Sequence, residues 1–336
     1  MEYERLANIK ISEHIGKRIY VQFMCKDVVT KAKKDGSGEY MSIAIQDRNV
    51  IETGVKLFQV TSYHREMIKP GWVYSAAIDV QEYDCAKNGY SLKIYNIELI
   101  SVESADYLDW CSGRGEAADN IVKTIEGISD KVYGTITKVI MSENWNDFVI
   151  YPAANSMHHY QLGGLCVHTN EVLECSKKIA EVAIATMGVQ DIDIELIEAS
   201  AILHDIGKVK EFSLDRHTGI TGYSSEAALQ SHVTKAMEYI DEVVLRYSLG
   251  SIGNSLKEAE KIRLLKHCVL AHHGKREYGS PIEPSIIEAY IISKADGISA
   301  DICRFNKAYD EMGDQESMTT WNSGKIEVYY KRMREE

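Results

Sequence analysis

The sequence predicts a multidomain protein, an all-β barrel followed by an all-α domain, and three observations predict it. Strand-like runs occupy residues 17 to 100, helical spacing takes over after Ser101, and nine of the eleven histidines lie beyond Met157, in the helical part. At 336 residues and 45% apolar content the chain is long enough for two or three domains with cores of their own. The expected boundaries are 1–105 for the barrel, 106–310 for the helical domain and 311–336 for a tail.

Within the first part, RIYVQFMCKDVVT, YMSIAIQD, GVKLFQV, WVYSAAIDVQEY and YSLKIYNIELI are β-branched or aromatic runs, several alternating with period two. KKDGSGE, DRN, KPG and AKNG punctuate them, and a longer excursion from Thr61 to Gly71 separates the third from the fourth. Five strands in this arrangement fit a Greek-key barrel of the OB type, with an SH3-like barrel as the alternative. Ten aromatics lie here: Tyr20, Phe23, Tyr40, Phe58, Tyr63, Trp72, Tyr74, Tyr83, Tyr90 and Tyr95. Strand aromatics are commonly core, but with Lys31, Lys33 and Lys34 in the first hairpin they supply the two ingredients of a single-strand groove, stacking faces and cations. Phe58 and Trp72 are the aromatic candidates, and the three lysines the basic ones.

The net charge of −12 is unevenly placed: from Lys17 to Ile100 twelve Lys and Arg meet ten Asp and Glu, so that stretch is +2 and the remainder −14. A polyanion is therefore compatible with the first part, as is an ordinary solvated surface. The seven cysteines form no C-x-x-C pair, which argues against a zinc ribbon or a secreted disulfide framework. MEYERLANIK has no apolar signal region and no apolar run reaches transmembrane length, so no membrane partner and a cytoplasmic location are expected. A homo-oligomer is compatible with the sequence.

After a junction around CSGRGE, helices are expected at about 117–126 and 130–141, then a succession of amphipathic helices to about residue 308 with no strand. SLGSIGNSL reads as a Gly/Ser loop between two of them. Their inward stripes carry polar residues. His168 falls with Leu165, Val172, Ile179 and Ala183; His232 with Ala228, Ala236, Ile240 and Val243; His272 and His273 continue Ile262, Leu265 and Val269; Asp296 falls with Ala289, Ile292, Ser299 and Cys303. Between them, IEASAILHDIGK is an apolar helix that runs into His204-Asp205 and stops at Gly207.

Any one of these has a structural explanation, such as a core histidine bonded to a carbonyl or a capping His-Asp pair. Five polar intrusions from five helices are hard to satisfy independently, whereas a shared metal centre satisfies them together. Mixed imidazole and carboxylate ligation suits manganese, iron, cobalt, nickel or zinc and leaves positions for water and phosphate.

The order His168, His204-Asp205, Asp296 resembles the HD-domain phosphohydrolases. HHYQLGGLCVHT, AILHDIGKVKEF, SHV, LAHHGKREYGSPIEPSIIEAY and KADGISADI resemble more particularly the YhaM-type 3′-to-5′ exoribonucleases, which join an OB-fold to an HD domain. The resemblance implies that His168, His204, Asp205 and Asp296 hold one divalent metal and that His232 with His272 or His273 completes a second. Asp205 would bridge them, manganese would be the metal in first place, and catalysis would rest on Asp205 with Lys208 taking a phosphate oxygen. It further implies hydrolysis of single-stranded RNA, and of single-stranded DNA as an extension, to nucleoside 5′-monophosphates. His158 and His159 match the pattern and are candidates for substrate contact or helix capping. Gln230-Ser231 depart from it, Leu-Gly being expected before His232. Two rival readings are an HD phosphohydrolase for a free or cyclic nucleotide and a non-catalytic nucleic-acid-binding protein; the aromatic-rich barrel opposes the first, the intact ligand set with Lys208 the second.

Overall fold

The computed structural model describes residues 3–86, 88–155, 159–248, 255–312, 318–319 and 329–330. The chain divides into two units, Met1–Trp110 with Leu214–Thr221, and Cys111–Ser213 with Gly222–Glu336.

The first unit is built on β1 (Glu4–Arg5), β2 (Arg18–Ala32), β3 (Glu39–Asp47), β4 (Val50–Leu57), α1 (Ser62–Met67), β5 (Val73–Glu82) and β6 (Tyr90–Ser101). β2 pairs antiparallel with β3, β3 with β4, and β5 with both β6 and β2, while Lys56 of β4 meets Lys93 of β6 in parallel, closing five strands into an OB-type barrel. β1 adds to β2 in parallel. One strand serves two neighbours because β2 is irregular between Cys25 and Asp27: its first half pairs with β5 and its second with β3, the bend that a bulge supplies. The excursion predicted at Thr61–Gly71 holds α1, whose first turn is closed by a reciprocal Thr61–His64 capping box.

Alternation along the strands sends Ile19, Val21, Phe23, Ile43, Ile45, Tyr74 and Ile78 inward. Phe23, Tyr74 and Tyr90 are therefore core residues rather than stacking faces, and the Tyr74 hydroxyl is held by donating to Met67 O at 2.7 Å and accepting from Lys69 N at 2.8 Å. Phe58 and Tyr40 remain partly exposed with rings 5.7 Å apart, and Lys93 Nζ lies 5.7 Å from the Phe58 ring. Lys31 pairs across the ladder with Tyr40. Trp72 packs partly on the core, with Lys69 over its ring. Lys31 and Lys34 are exposed and Lys33 half-buried.

The second unit contains α2 (Arg114–Gly127), α3 (Lys131–Phe148), α4 (Gly164–Thr186), α5 (Ile194–Leu203), α6 (Lys208–Glu211), α7 (His232–Ser248), α8 (Leu256–Ala271) and α9 (Ile287–Met312). α5 is the axis. Leu196, Ile197 and Ala199 through Leu203 are all buried, as expected of a helix apolar on every side, and α3, α4, α8 and α9 surround it. Its C-terminus therefore ends inside the core, where it delivers His204 and Asp205.

Two short ladders that periodicity does not reveal accompany the helices. β7 (Phe212–Leu214) pairs with β8 (Thr221–Tyr223) across a turn in which the Asp215 carboxylate accepts from His217 N and Thr218 N, and β9 (Met318–Thr319) pairs with β10 (Tyr329–Tyr330). Strands of two or three residues are too short to show alternation. Ala228 also departs from its expected stripe: it is exposed in a 3-10 turn, because α7 begins only at His232, where Ser231 Oγ accepts from Thr234 N. The departure at Gln230-Ser231 thus provides the helix cap. Most of SLGSIGNSL and of the tail lies outside the described residues.

Candidate metal centre

Asp205 is the hub. Its Oδ2 lies 3.4 Å from His168 Nε2 and 3.3 Å from His204 Nε2, while its Oδ1 lies 3.5 Å from His232 Nε2 and 3.7 Å from His272 Nε2. The two oxygens of one carboxylate thus face two sets of imidazoles. His168 Nε2 is also 3.2 Å from Asp296 Oδ1. Potential ligand atoms gather in three compact groups, within each of which they lie within 4.8 Å of one another: His168, His204 and Asp296; Asp205, His232, His272 and His273; and, sharing His168 with the first, His159, His168 and Glu171. Every metal candidate of the sequence is brought together, and both His272 and His273 enter the second group.

Each element contributes for a local reason. α4 carries His168 on its buried stripe, α9 carries Asp296, and α5 ends at His204. Gly207 has an ordinary helical φ of −64°, so it does not act by ending the helix; a Cβ there would stand 2.0 Å from His232 O, and the missing side chain lets the start of α7 approach Asp205. α8 ends at Ala271 and leaves His272 in helical conformation at its cap.

The imidazoles are aimed by their second nitrogens. His204 Nδ1 donates to Ala201 O at 2.7 Å and His272 Nδ1 to Val269 O at 2.6 Å; His232 Nδ1 is held by the Glu211 carboxylate. In the neutral ring an acceptor opposite Nδ1 places the proton there and leaves the Nε2 lone pair facing Asp205. Burial, with His273 and His204 nearby, pushes His272 well below the ordinary histidine value, and burial likewise lowers His273. Both are held as neutral imidazole, the form that binds a metal. Burial alone would raise the Asp205 and Asp296 carboxyls; the Lys208 ammonium, the protonated form of His204 and a hydrogen bond with His168 outweigh it and hold Asp205 well below the usual range, and the hydrogen bond and charge of protonated His168 do the same for Asp296. Against its burial, His204 is in turn raised above the ordinary histidine value by Asp205.

These residues fit a divalent cation. Asp205 Oδ1, His232 Nε2, His272 Nε2 and His273 Nδ1 are buried atoms without a hydrogen-bond partner, each costing about 1–3 kcal/mol if left so. All four belong to one potential ligand group. Lys208 Nζ stands 2.6 Å from Asp205 Oδ2 and, with Asp205, His273 and Asp296, lines a cavity of about 620 Å³ that Lys275, Tyr278, Lys294, Asp301 and Arg304 also border. Of the remaining candidates, His159 is 4% exposed and its Nε2 is 3.2 Å from Glu171. His158 lies outside the described residues. The sequence reading missed Glu211 as the partner of His232; KVKEF follows the HDIG segment, and a carboxylate one turn after Lys208 is the available signal.

Residues 166–301 match the family model described as HD domain. The helical unit thus carries an HD domain behind an OB-like barrel. Over 309 residues, 90% of each chain, the protein is 25% identical to the 3′-5′ exoribonuclease YhaM of Bacillus subtilis and 26% identical to that of Listeria monocytogenes. It is likewise 26% identical over 291 residues to the 3′-5′ exoribonuclease YhaM of Oceanobacillus iheyensis, 84% of each chain. Among solved structures, asparaginyl-tRNA synthetase from Pyrococcus horikoshii aligns with 45% of this chain and 36% of its own at 13% identity and a TM-score of 0.25, too low to bear on the fold. No helix among the described residues is long and apolar enough to cross a membrane.

Proposed function

We propose that this protein is a metal-dependent 3′-to-5′ exoribonuclease that degrades single-stranded RNA, and by extension single-stranded DNA, to nucleoside 5′-monophosphates in the cytoplasm. The observation that carries the reading is the position of Asp205, one carboxylate whose two oxygens face two groups of imidazoles beside a cavity. His168, His204 and Asp296 would hold one divalent cation and His232, His272 and His273 a second, with Asp205 shared and manganese the leading candidate among metals that accept this donor set. Such ions supply a nucleophilic hydroxide at neutral pH and stabilise charge on the phosphoryl and leaving oxygens.

The residues of the chain do the rest. Glu211 and the carbonyls of Ala201 and Val269 keep the ligating nitrogens aimed inward. Lys208, anchored on Asp205 Oδ2, offers its remaining hydrogens to a non-bridging phosphate oxygen. Of the cations on the cavity wall, Arg304 is paired with Asp301 and Lys275 with Glu277, and Lys294 adds positive charge where a polyanion must enter. Residues 1–105 act as the strand-binding domain, 106–310 as the catalytic domain and 311–336 as a tail; Tyr40, Phe58, Lys31, Lys33 and Lys34 form the groove, with Trp72 at its side, stacking contributing about 1–3 kcal/mol per base with little sequence preference.

The experiment is a comparison of ends. A short labelled RNA with a free 3′-hydroxyl is shortened one nucleotide at a time, and the same RNA closed by a 3′-phosphate is degraded much more slowly. Equal rates, or cuts in a circular RNA, would make the enzyme an endonuclease.

A further inference from the structure

We propose that Glu171, acting through Ser299, is the positioning residue that sets the tautomer of His168, with His159 bracing Glu171 from behind. The inference rests on the reading of His168 as a metal ligand.

His168 differs from His204, His232 and His272. His204 and His272 meet backbone carbonyls at Nδ1 and His232 meets a carboxylate, acceptors that leave only one place for the ring proton. His168 Nδ1 instead lies 2.8 Å from Ser299 Oγ, and a hydroxyl can donate or accept. Were Ser299 to donate, the proton would move to Nε2, which faces Asp205 and Asp296, and no lone pair would be left for an ion. Glu171 removes the ambiguity. Its Oε2 is 2.6 Å from Ser299 Oγ, and a carboxylate only accepts, so the single hydroxyl hydrogen of Ser299 goes to Glu171. Ser299 then has only lone pairs to offer His168, Nδ1 must carry the proton of the neutral ring, and Nε2 keeps its lone pair.

The relay continues one step outward. Glu171 Oε2 is 3.2 Å from His159 Nε2, and His159 is buried at a φ of +48°, a backbone conformation that costs a residue with a Cβ and persists only when its surroundings hold it. They do so: Ala153 N donates to His159 O at 2.9 Å, and Gly164, where a Cβ would stand 2.0 Å from that same oxygen, admits the loop against the start of α4. Glu171, Ser299 and His159 border a second cavity of about 520 Å³, and 44% of the Glu171 side chain is exposed, so its replacement disturbs little packing.

The test is cobalt(II) titration of metal-free full-length protein, read by calorimetry and by the visible absorption of the bound ion, with circular dichroism to confirm folding. Ser299→Ala and Glu171→Gln should weaken one of the two equivalents by about 10–100-fold, with an altered band for that ion. Ser299→Thr, which keeps the hydroxyl, should restore binding to near wild type. His168→Ala should remove that equivalent altogether. If His168→Ala loses it while Ser299→Ala and Glu171→Gln bind as wild type, the positioning role is wrong and the metal site stands. If His168→Ala itself binds two equivalents unchanged, the proposal falls together with the metal reading on which it rests.

Discussion

Two buried carboxylates, one in each unit, differ in how completely the fold satisfies them. Asp47, at the end of β3, is 0% exposed, yet every demand it makes is met: Arg5 grips both oxygens through Nε and Nη2, and Ala7 N donates to Oδ2 at 3.0 Å. Asp205, 2% exposed, has Lys208 on Oδ2 but no donor on Oδ1, which instead faces two imidazole nitrogens that also lack partners. Burial of charge is common to both. What separates them is completion, because a folding chain that leaves a buried lone pair unfilled gives up stability unless something else occupies it.

The largest effect that could break this comparison is at the hub. Asp205→Asn should reduce RNA hydrolysis to background and strip metal, measured by turnover and elemental analysis, while the amide still offers Lys208 an acceptor and the thermal midpoint of metal-free protein moves little. Full metal loading with full turnover would place Asp205 beside Asp47 as a structural group. Asp47→Ala should do the converse. It removes the acceptor shared by Arg5 and Ala7 N, leaving Arg5 its Asp106 carbonyl and the Tyr107 ring, and should cost about 1.5–3 kcal/mol in denaturant unfolding followed by circular dichroism, with metal content unchanged.

Smaller effects sharpen the contrast between the proposed binding and catalytic units. Phe58→Ala should weaken binding of a single-stranded RNA by about 1–3 kcal/mol without changing metal content. Replacing Lys31, Lys33 and Lys34 together by alanine should reduce the salt slope of log affinity by about 2, as read from binding at several ionic strengths; an unchanged slope would remove the hairpin from the groove. The smallest effect is at the N-cap of α3. Burial of Asp130 opposes its ionisation, but Lys261 and the amide hydrogens of Val132 and Tyr133 outweigh that and hold its carboxyl below the usual aspartate range. A depressed folded pKa stabilises above the unfolded value and is lost as pH falls through the folded one. Asp130→Ala should therefore cost about 1 kcal/mol near neutral pH, and the difference from wild type should shrink progressively below about pH 4. A gap that widens in acid would reverse the sign.

Much of this was legible along the chain because the signals are local. Alternation marked the strands of the barrel, and three-to-four spacing placed His168, His232, His272 and Asp296 on the faces that the fold buries. The same reading could not tell Phe23 and Tyr74, which fill the barrel, from Tyr40 and Phe58, which do not, since alternation says that one face is buried but not which aromatics stay at the rim. It took Gly207 for a helix stop, because a glycine needed for close approach looks the same in sequence as one needed to turn.

The sequence by itself determined the order of the two architectures and the residue types of the candidate metal centre, since both follow from periodicity and from the cost of burying polar groups. Only the tertiary structure decided which oxygen of Asp205 faces which imidazoles, and which groups stand behind those imidazoles. Glu211 is 21 residues from His232, and Ser299 is 131 from His168. No local pattern encodes such distances; they exist because α4, α7 and α9 pack into one core, where hydrogen-bond partners are chosen by proximity in space.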